Sequence, residues 1–237
     1  MPHGIETGLI ERITPMVRDL CVERARGLPD LHYADVRVEV AEGKYAGSEN
    51  GESKSSGDDY GFAFGVRVIA GSRMRAPGYF GRGLGAADVP QLARILEDGL
   101  LAAYRRAMAN AEMKAEVRGK FGALGDALGD TRLHPVQVRQ ALVPAVFEVD
   151  PRTVAPSEMQ SFTTDVSRRV AASQRAVAYN YISTLTQLSR ELFASSEGAL
   201  IDQSFALTQG MCYVVATGAD NSQELYDVTG HQRGWEI

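Results

Sequence analysis

The four histidines of this chain are the residues best suited to metal binding or acid–base chemistry, and their spacing keeps them apart. They are His3, His32, His134 and His231, and no two of them lie three to five residues apart, the spacing that places two metal ligands on one helical face. We therefore expect no zinc site built within this chain. His134 and His231 are better interpreted as surface or hydrogen-bonded side chains.

A run of glycines offers a second possible site, because free N–H groups at the start of a helix can hold a phosphate. Gly81, Gly83 and Gly85 precede a predicted helix. A dinucleotide-binding fingerprint also needs a parallel strand before the glycines and an acidic residue about 20 positions later. Here the preceding strand is predicted to be half of a hairpin and Asp98 lies inside the helix. A nucleotide-dependent enzyme is kept only as a third alternative.

Neither the serines nor the cysteines indicate a nucleophile. Ser195 lies in Ser-Ser-Glu-Gly without a Gly-x-Ser-x-Gly elbow, and Gly198 fits the tight turn of a hairpin. Cys21 and Cys212 are far apart and form no CxxC, which indicates buried free thiols in a reducing compartment. Aromatic residues between 179 and 213 are interpreted as packing on a sheet rather than as a surface that stacks nucleic-acid bases, because no basic residues alternate with them.

Charge and hydropathy exclude several classes of protein. Lys and Arg total 25 against 30 Asp and Glu, so the net charge is −5, and the pI is about 5.5, which argues against a nucleic-acid partner. Hydrophobic residues make up 44% of the chain, as in ordinary globular proteins. The N-terminus lacks the apolar core of a secretory signal, and no segment reaches the roughly 20 apolar residues needed to span a bilayer. We expect a cytoplasmic protein without a membrane partner.

The first half of the chain changes period twice. Helical spacing over 9–28 predicts an amphipathic helix, in which Thr14-Pro15 marks either a kink or the true start. Alternation in ADVRVEV at 34–40 predicts a half-buried strand, and GFAFGVRVIAG at 61–71 predicts the next one. The small polar residues 43–59 between them predict a long hairpin with a mobile tip.

The second half contains two further helices and a group of strands. A long helix is expected from Asp88, which would cap it, and 119–155 is a connecting arm or a boundary between subdomains. A third helix opens at Pro156, and short runs from 176 to 235 predict an antiparallel meander. The side chains expected to be buried on the third helix are Met159, Phe162, Val166 and Val170. Together these elements predict an α+β fold, a mainly antiparallel sheet with two or three packed helices.

The order of these segments over nearly the whole chain resembles the N-terminal half of the TldD/PmbA family of zinc-dependent peptidases. The resemblance is carried by ADVRVEV at 34–40, the Ser-rich bend, GFAFGVRVIAG at 61–71, AAYRRAMANA at 102–111, VDP at 149–151 and ELFASSEGALIDQS at 191–204. It implies that residues 1–237 form one N-terminal-type domain with a possible subdomain boundary in the arm 119–155.

The family implies peptide-bond hydrolysis by zinc on an HExxxH helix, completed by a distant cysteine, in a second domain. No HExxxH occurs in this sequence, and neither Cys21 nor Cys212 matches the position of the metal cysteine. The resemblance therefore assigns no catalytic, cofactor-binding or metal-binding residue here. It places the zinc in an absent C-terminal domain or in a partner chain.

Two hypotheses follow from the resemblance. The leading one is a non-catalytic N-terminal domain of a TldD/PmbA-type metallopeptidase, inactive alone, which shapes a chamber for extended or unfolded peptides within a homodimer or a heterodimer with a family chain. The alternative is a stand-alone peptide-binding or scaffold module that takes up an extended peptide on an open sheet face or edge.

Overall fold

The computed structural model describes residues 8–121, 125 and 129–236. Its α-helices are α1 (Leu9–Asp19), α2 (Leu92–Lys120) and α3 (Pro156–Ser173), and its strands are β1 (Leu31–Glu49), β2 (Glu52–Ala70), β3 (Ala76–Gly83), β4 (Gln140–Val143), β5 (Val177–Ser195), β6 (Leu200–Thr217) and β7 (Ser222–His231). A π-helical turn (Leu20–Arg24) and a 3-10 turn (Ala25–Gly27) continue α1, and further 3-10 turns span Ala86–Gln91 and Pro151–Thr153.

The seven strands of the described residues form one sheet in the order β3-β2-β1-β5-β6-β4, and β7 also pairs with β6. The β2–β3 and β6–β7 pairs are antiparallel, whereas the short β4 runs parallel to β6. The sheet is therefore mixed, and the predicted α+β class is confirmed.

The chain divides into two compact units. Unit 1 contains residues 1–39, 62–143 and 191–203, and unit 2 contains residues 40–61, 144–190 and 204–237. The long strands β1, β2, β5 and β6 thus contribute residues to both units. The single domain over 1–237 and the boundary within 119–155 stay predictions.

In unit 1, α2 packs closely against the β2–β3 hairpin. A Cβ on Gly78 of β3 would meet the backbone of Ala103 and Ala107, and one on Gly99 of α2 would lie 2.7 Å from Phe64. Glycine at both positions lets backbone and ring approach to a distance that no side chain permits. The buried residues of this helix are Leu92, Leu96, Gly99, Leu100, Ala103, Ala107 and Ala111, which we call the α2 interface.

In unit 2, α3 begins at Pro156 as predicted, but the predicted buried face is wrong in part. Met159 is fully buried, whereas Phe162 is 51% exposed and packs edge-on against Trp235, with ring centroids 5.9 Å apart. Val166 and Val170 are only partly buried. Besides Met159, the buried side chains of α3 are hydroxyls, Thr163, Thr164 and Ser167. Helical period alone could not show this, because the polar partners lie on distant strands.

The hairpin predicted around 43–59 exists, but its polar residues are strand rather than loop. β1 and β2 are 19 residues each, and Asn50 (φ 50°) and Gly51 (φ 85°) form the two-residue turn. Two positive φ angles in succession match the type I′ turn that an Asn-Gly pair favours. The turn is held by α3, since Gly51 N–H donates to Ser167 Oγ (2.8 Å) and Arg168 Nε donates to the Gly51 carbonyl (3.0 Å).

α1 begins at Leu9 as predicted, and Pro15 lies inside it, so of the two alternatives for Thr14-Pro15 the start of the helix is excluded. Two predicted boundaries need correction. Asp88 lies in the 3-10 turn before α2, which begins at Leu92. The short runs predicted after residue 176 merge into β5 and β6, of 19 and 18 residues, because Ser, Thr and Gln within them continue the strand period.

Candidate functional site

Charged side chains lie on one face of the sheet in unit 1. Along β1, Val36 and Val38 are fully buried on one face, while Asp35 and Arg37 alternate with them on the other. Arg67 from β2 and Glu191 from β5 form ion pairs with these residues. We call Asp35, Arg37, Arg67 and Glu191 the charged sheet face.

In the Asp35–Arg67 ion pair, the Asp35 carboxylate is largely buried. Arg67 Nε donates to Asp35 Oδ2 (2.8 Å), and Arg67 Nη2 lies 2.6 Å from the same oxygen. The Arg67 guanidinium lies 5.8 Å from the centre of the buried Tyr33 ring. Burial, and then the neighbouring Asp35 carboxylate, raise the pKa of Tyr33. This phenol therefore stays neutral at physiological pH, and Arg67 is fixed by two groups.

Arg37 is held in a comparable way. Its Nη1 lies 3.2 Å from Glu191 Oε2, and its guanidinium lies 5.9 Å from the centre of the Phe193 ring. Gln203 Nε2 donates to the other oxygen of Glu191 (3.0 Å). Both arginines thus combine a carboxylate with an aromatic ring, and both side chains remain about half exposed.

A cavity of about 400 Å³ opens on this face. Arg37, Arg67 and the exposed ring of Tyr79 contribute to its wall together with the carboxylates of Asp35 and Glu39. Guanidinium N–H groups not used in the ion pairs, carboxylates and a phenol can bind the amides and charged side chains of a polypeptide. The cavity therefore offers groups that can bind a polar chain.

Tyrosines line a second surface, in unit 2. The Tyr181 hydroxyl occupies the space above Gly47, where a Cβ would lie 2.5 Å from it, and the Tyr45 hydroxyl lies in the same way over Gly57. Tyr179 packs edge-on against Tyr213, with centroids 6.0 Å apart. We call Tyr45, Tyr179, Tyr181 and Tyr213 the tyrosine face. A cavity of about 330 Å³ lies beside Tyr45 and Tyr181.

Strand β7 lies beside this face and is exposed along its whole length. Its ten residues pair with β6 from Thr217↔Ser222 to Thr208↔His231 without interruption. Tyr213 is directly opposite Tyr226 in this register, so Tyr226 extends the aromatic surface onto β7. The Glu224 carboxylate nearby raises the pKa of Tyr213.

The histidines stay apart in the structure. His32 Nε2 lies 2.9 Å from the Gly71 carbonyl oxygen, His134 and His231 are exposed, and His3 lies outside the described residues. Across residues 8–121, 125 and 129–236, no three His, Cys, Asp or Glu side chains are grouped so that they could hold a metal ion. These residues do not fit the zinc that the resemblance implies, and no chemical step of this chain is assigned to a metal.

Two of the three glycines of this run lie in a strand rather than at the start of a helix. Gly81 and Gly83 lie in β3, which pairs antiparallel with β2. Gly85 N–H donates to the Asp88 carboxylate (2.9 Å), so a side chain of the protein occupies that position. This bond, together with Arg82, lowers the pKa of Asp88.

The serine run forms the tight turn predicted for it. Gly198 has φ 102°, and Gly198 N–H donates to the Ser195 carbonyl (3.0 Å). Ser196 is bound through its backbone and hydroxyl to Ala34, with distances of 2.8 and 3.0 Å, and Arg26 donates to its carbonyl. The Ser196 hydroxyl thus joins the turn to β1, whereas the Ser195 hydroxyl accepts from Ala199 N–H within the turn (3.4 Å).

Both cysteines are free, but only one is fully buried. Cys21 Sγ donates to the Ala194 carbonyl (3.4 Å), and burial raises the pKa of this thiol to about 12. Cys212 on β6 is partly exposed, which differs from the predicted burial. Burial, followed by the Asp227 carboxylate on β7, raises the pKa of Cys212.

Sequence reasoning assigned no site residues, and the charged sheet face was missed. The alternation in ADVRVEV was the available signal, since it placed Asp35 and Arg37 on the face opposite the valines. Their partners Arg67 and Glu191 are 32 and about 150 positions away, so only the strand order brings the four together.

Comparison with known proteins identifies the fold. No protein-family model matches the sequence, and no curated protein matches it. Among solved structures, TldE from Thermococcus kodakarensis matches 94% of this chain with a TM-score of 0.54 and 9% identity, over 43% of its own chain. A protein from Bacteroides thetaiotaomicron, described as a candidate modulator of DNA gyrase, matches 95% with a TM-score of 0.56 and 8% identity, over 44% of its own chain.

The chain thus spans less than half the length of these structures. No helix of the described residues has both the length and the apolar character required to cross a membrane. The resemblance predicted from the sequence is confirmed at the level of the fold: this chain has a TldD/PmbA-type fold.

Proposed function

We propose that this chain is the non-catalytic part of a TldD/PmbA-type metallopeptidase that acts on extended or unfolded peptides, shaping the chamber and the interface with a family partner. The observation that carries the proposal is the fold shared with TldE over 94% of the chain. The partner is a second copy or another family chain, and the zinc belongs to an HExxxH segment that these 237 residues do not contain.

The two surfaces described above suit this role. The charged sheet face presents two immobilised guanidiniums beside carboxylates, and the tyrosine face presents rings with hydroxyls at their tips. Both chemistries bind polypeptide backbone and varied side chains without demanding one sequence. The proposal includes a cytoplasmic location, which the two free cysteines support.

The test measures assembly and peptide cleavage together. The purified chain is mixed with a TldD/PmbA-family chain from the same source that carries HExxxH, and light scattering after size exclusion gives the mass of the complex. Cleavage of an unfolded polypeptide is followed by mass spectrometry with and without a chelator. We expect a defined complex with chelator-sensitive cleavage, and none from this chain alone. Chelator-sensitive cleavage by this chain alone, or no association with any family chain or itself, would contradict the proposal.

A matched pair of variants links the assay to the charged sheet face. Arg37→Glu reverses a charge on that face, and Arg105→Glu reverses an exposed charge on α2. We expect Arg37→Glu to lower assembly or cleavage several-fold and Arg105→Glu to leave both unchanged. Equal effects would show that net charge, rather than this face, matters.

A stand-alone peptide-binding module is the second candidate, and the fully exposed β7 favours it. This function requires peptide binding by the chain alone and no effect of the chain on the activity of any family peptidase. The same mixing experiment distinguishes the two candidates.

A further inference from the structure

Strand β7 lacks the Lys, the Pro and the β-bulge that often protect the edge of a sheet. Among the described residues, β6 is its only neighbouring strand. The register with β6 contains no bulge over ten residues, and Ser222–His231 contains neither Lys nor Pro. Exposed edges in monomeric proteins are usually short, bulged or blocked by Lys or Pro, because an open edge pairs with other chains. The outer edge of β7 is therefore able to accept a further strand.

Apolar side chains on both faces of β7 would be covered by such a strand. Leu225 is 59% exposed, Tyr226 65% and Val228 40%. Tyr226 and Val228 share a face with Tyr213 and Met211, their partners on β6, while Leu225 is opposite Val214 on the other face. A neighbouring extended strand places its side chains within contact distance of these residues on both sides of the sheet.

Charge indicates which strand would fit. Ser222–Gly230 contains two acidic residues and no basic one. Glu224 lies on the face of Tyr226, and Asp227 lies on the face of Leu225, so each face carries one carboxylate. Unit 2 as a whole has 13 acidic and 8 basic residues, whereas unit 1 has 17 of each, so the net charge of −5 belongs to unit 2. A basic strand is complementary to this edge.

We propose that the outer edge of β7 binds an extended, basic segment of an unfolded polypeptide by strand addition. Backbone hydrogen bonds along the edge hold the segment, and its Lys or Arg side chains lie near Glu224 and Asp227. A second copy of β7 is a poorer occupant, because its own acidic side chains would face these two. The proposal rests on the peptide-handling role above and identifies the charge of the peptide and its place of binding.

Binding to the full chain tests the proposal. The probe is a fluorescent peptide, Thr-Val-Lys-Thr-Val-Arg-Val-Thr, whose two basic residues are three positions apart and therefore lie on opposite faces of an extended strand. Its counterpart has Glu at both basic positions, and anisotropy gives both affinities. We expect saturable binding of the basic peptide alone. Asp227→Lys should weaken it at least about fivefold, because attraction becomes repulsion. Asp165→Lys, on the exposed side of α3, makes the same change in net charge and should have little effect.

Hydrogen exchange of the same complex reports strand addition itself. We expect the basic peptide to slow amide exchange within β7. Equal binding of both peptides, equal weakening by Asp165→Lys, or unchanged exchange in β7 would overturn the proposal. So would a dimer, detected by sedimentation without peptide, whose formation slows amide exchange in β7. Peptide binding without assembly with a family chain would instead contradict only the proposed peptidase role.

Discussion

Two helices of this molecule pack on their strands with opposite chemistry. The α2 interface in unit 1 buries leucine and alanine side chains between Leu92 and Ala111, together with the backbone of Gly99. In unit 2, hydrogen bonds join the buried side of α3 to its strands. We call the residues that form these bonds the α3 interface. Its members are Ser48, Asn50, Gly51, Gln160, Thr163, Thr164, Ser167, Arg168 and Asn180.

The difference determines how each interface tolerates change. Apolar burial contributes in proportion to area, so the α2 interface loses stability with every methylene removed. A hydrogen bond contributes only about 1 kcal/mol net, but a buried polar group left without its partner costs about 1–3 kcal/mol. Among the described residues, Gln160 Oε1 and Asn180 Nδ2 are buried and have no partner. The α3 interface should therefore open locally before the α2 interface does.

Shortening a leucine in the α2 interface should have the largest effect. Leu96 is 1% exposed, and Leu96→Ala removes its contacts and leaves a cavity, so we expect the free energy of unfolding to fall by about 3 kcal/mol. Met113→Ala changes an exposed side chain on the same helix and should shift it by less than about 0.5 kcal/mol. Urea unfolding measures both. Similar values for the two variants would show that α2 is not held by this interface.

Removing one hydroxyl from the α3 interface should come next. Ser167 Oγ accepts from Gly51 N–H and lies 2.5 Å from Asn180 Oδ1. Ser167→Ala leaves both groups buried without this bond, and we expect a loss of about 2 kcal/mol. Ser161→Ala, on the exposed side of the same helix, is the control and should be neutral. A neutral Ser167→Ala would mean that water replaces the hydroxyl and that the interface is looser than described.

The hairpin turn under α3 should be less sensitive. Gly51 has φ 85°, and a Cβ there would also lie 2.9 Å from Arg168 Cγ. Gly51→Ala should cost about 1 kcal/mol, because alanine disfavours this backbone and the arginine side chain can move aside. Gly83→Ala meets nothing within 4 Å and lacks a positive φ, so thermal unfolding should not distinguish it from the unsubstituted protein. A larger loss at Gly83 than at Gly51 would contradict this ranking.

The same contrast explains what the sequence could predict. The α2 interface can be predicted from the local sequence alone, because leucine and alanine at helical spacing identify the buried side of the helix. On α3 the same rule selects Phe162, which is exposed, and passes over Thr163 and Ser167, which are buried. Buried threonine and serine hydroxyls need hydrogen-bond partners. The partner of Thr163 is Ser48 on β1, more than 100 positions away in the sequence.

The candidate surfaces were predictable to a smaller extent than the fold. Alternation placed Asp35 and Arg37 on one face of a strand, but their pairing with Arg67 and Glu191 depends on which strands are neighbours. Tyr179, Tyr181 and Tyr213 were interpreted as ordinary sheet packing, and Tyr45 fell in the predicted polar tip of the hairpin 43–59. The glycines beneath the tyrosine rings, Gly47 and Gly57, were not recognised because the small polar residues of the β1–β2 hairpin were expected to form a loop.

Alkaline pH should have a smaller effect on stability, and this effect should arise from a thiol in unit 1. Burial raises the pKa of Cys21, in unit 1, to about 12, above the usual value near 9. The folded state therefore keeps the neutral thiol, and its contribution to stability is complete below about pH 8.5 and declines as the unfolded chain ionises above that pH. The hydroxyls of the α3 interface do not titrate in this range. Between pH 8 and 9.5 we expect Cys21 to reduce the free energy of unfolding by about 1 kcal/mol, and Cys21→Ala to lose less over that interval. Denaturant unfolding at several pH values measures the slope, and an unchanged slope in Cys21→Ala would place the alkaline sensitivity elsewhere.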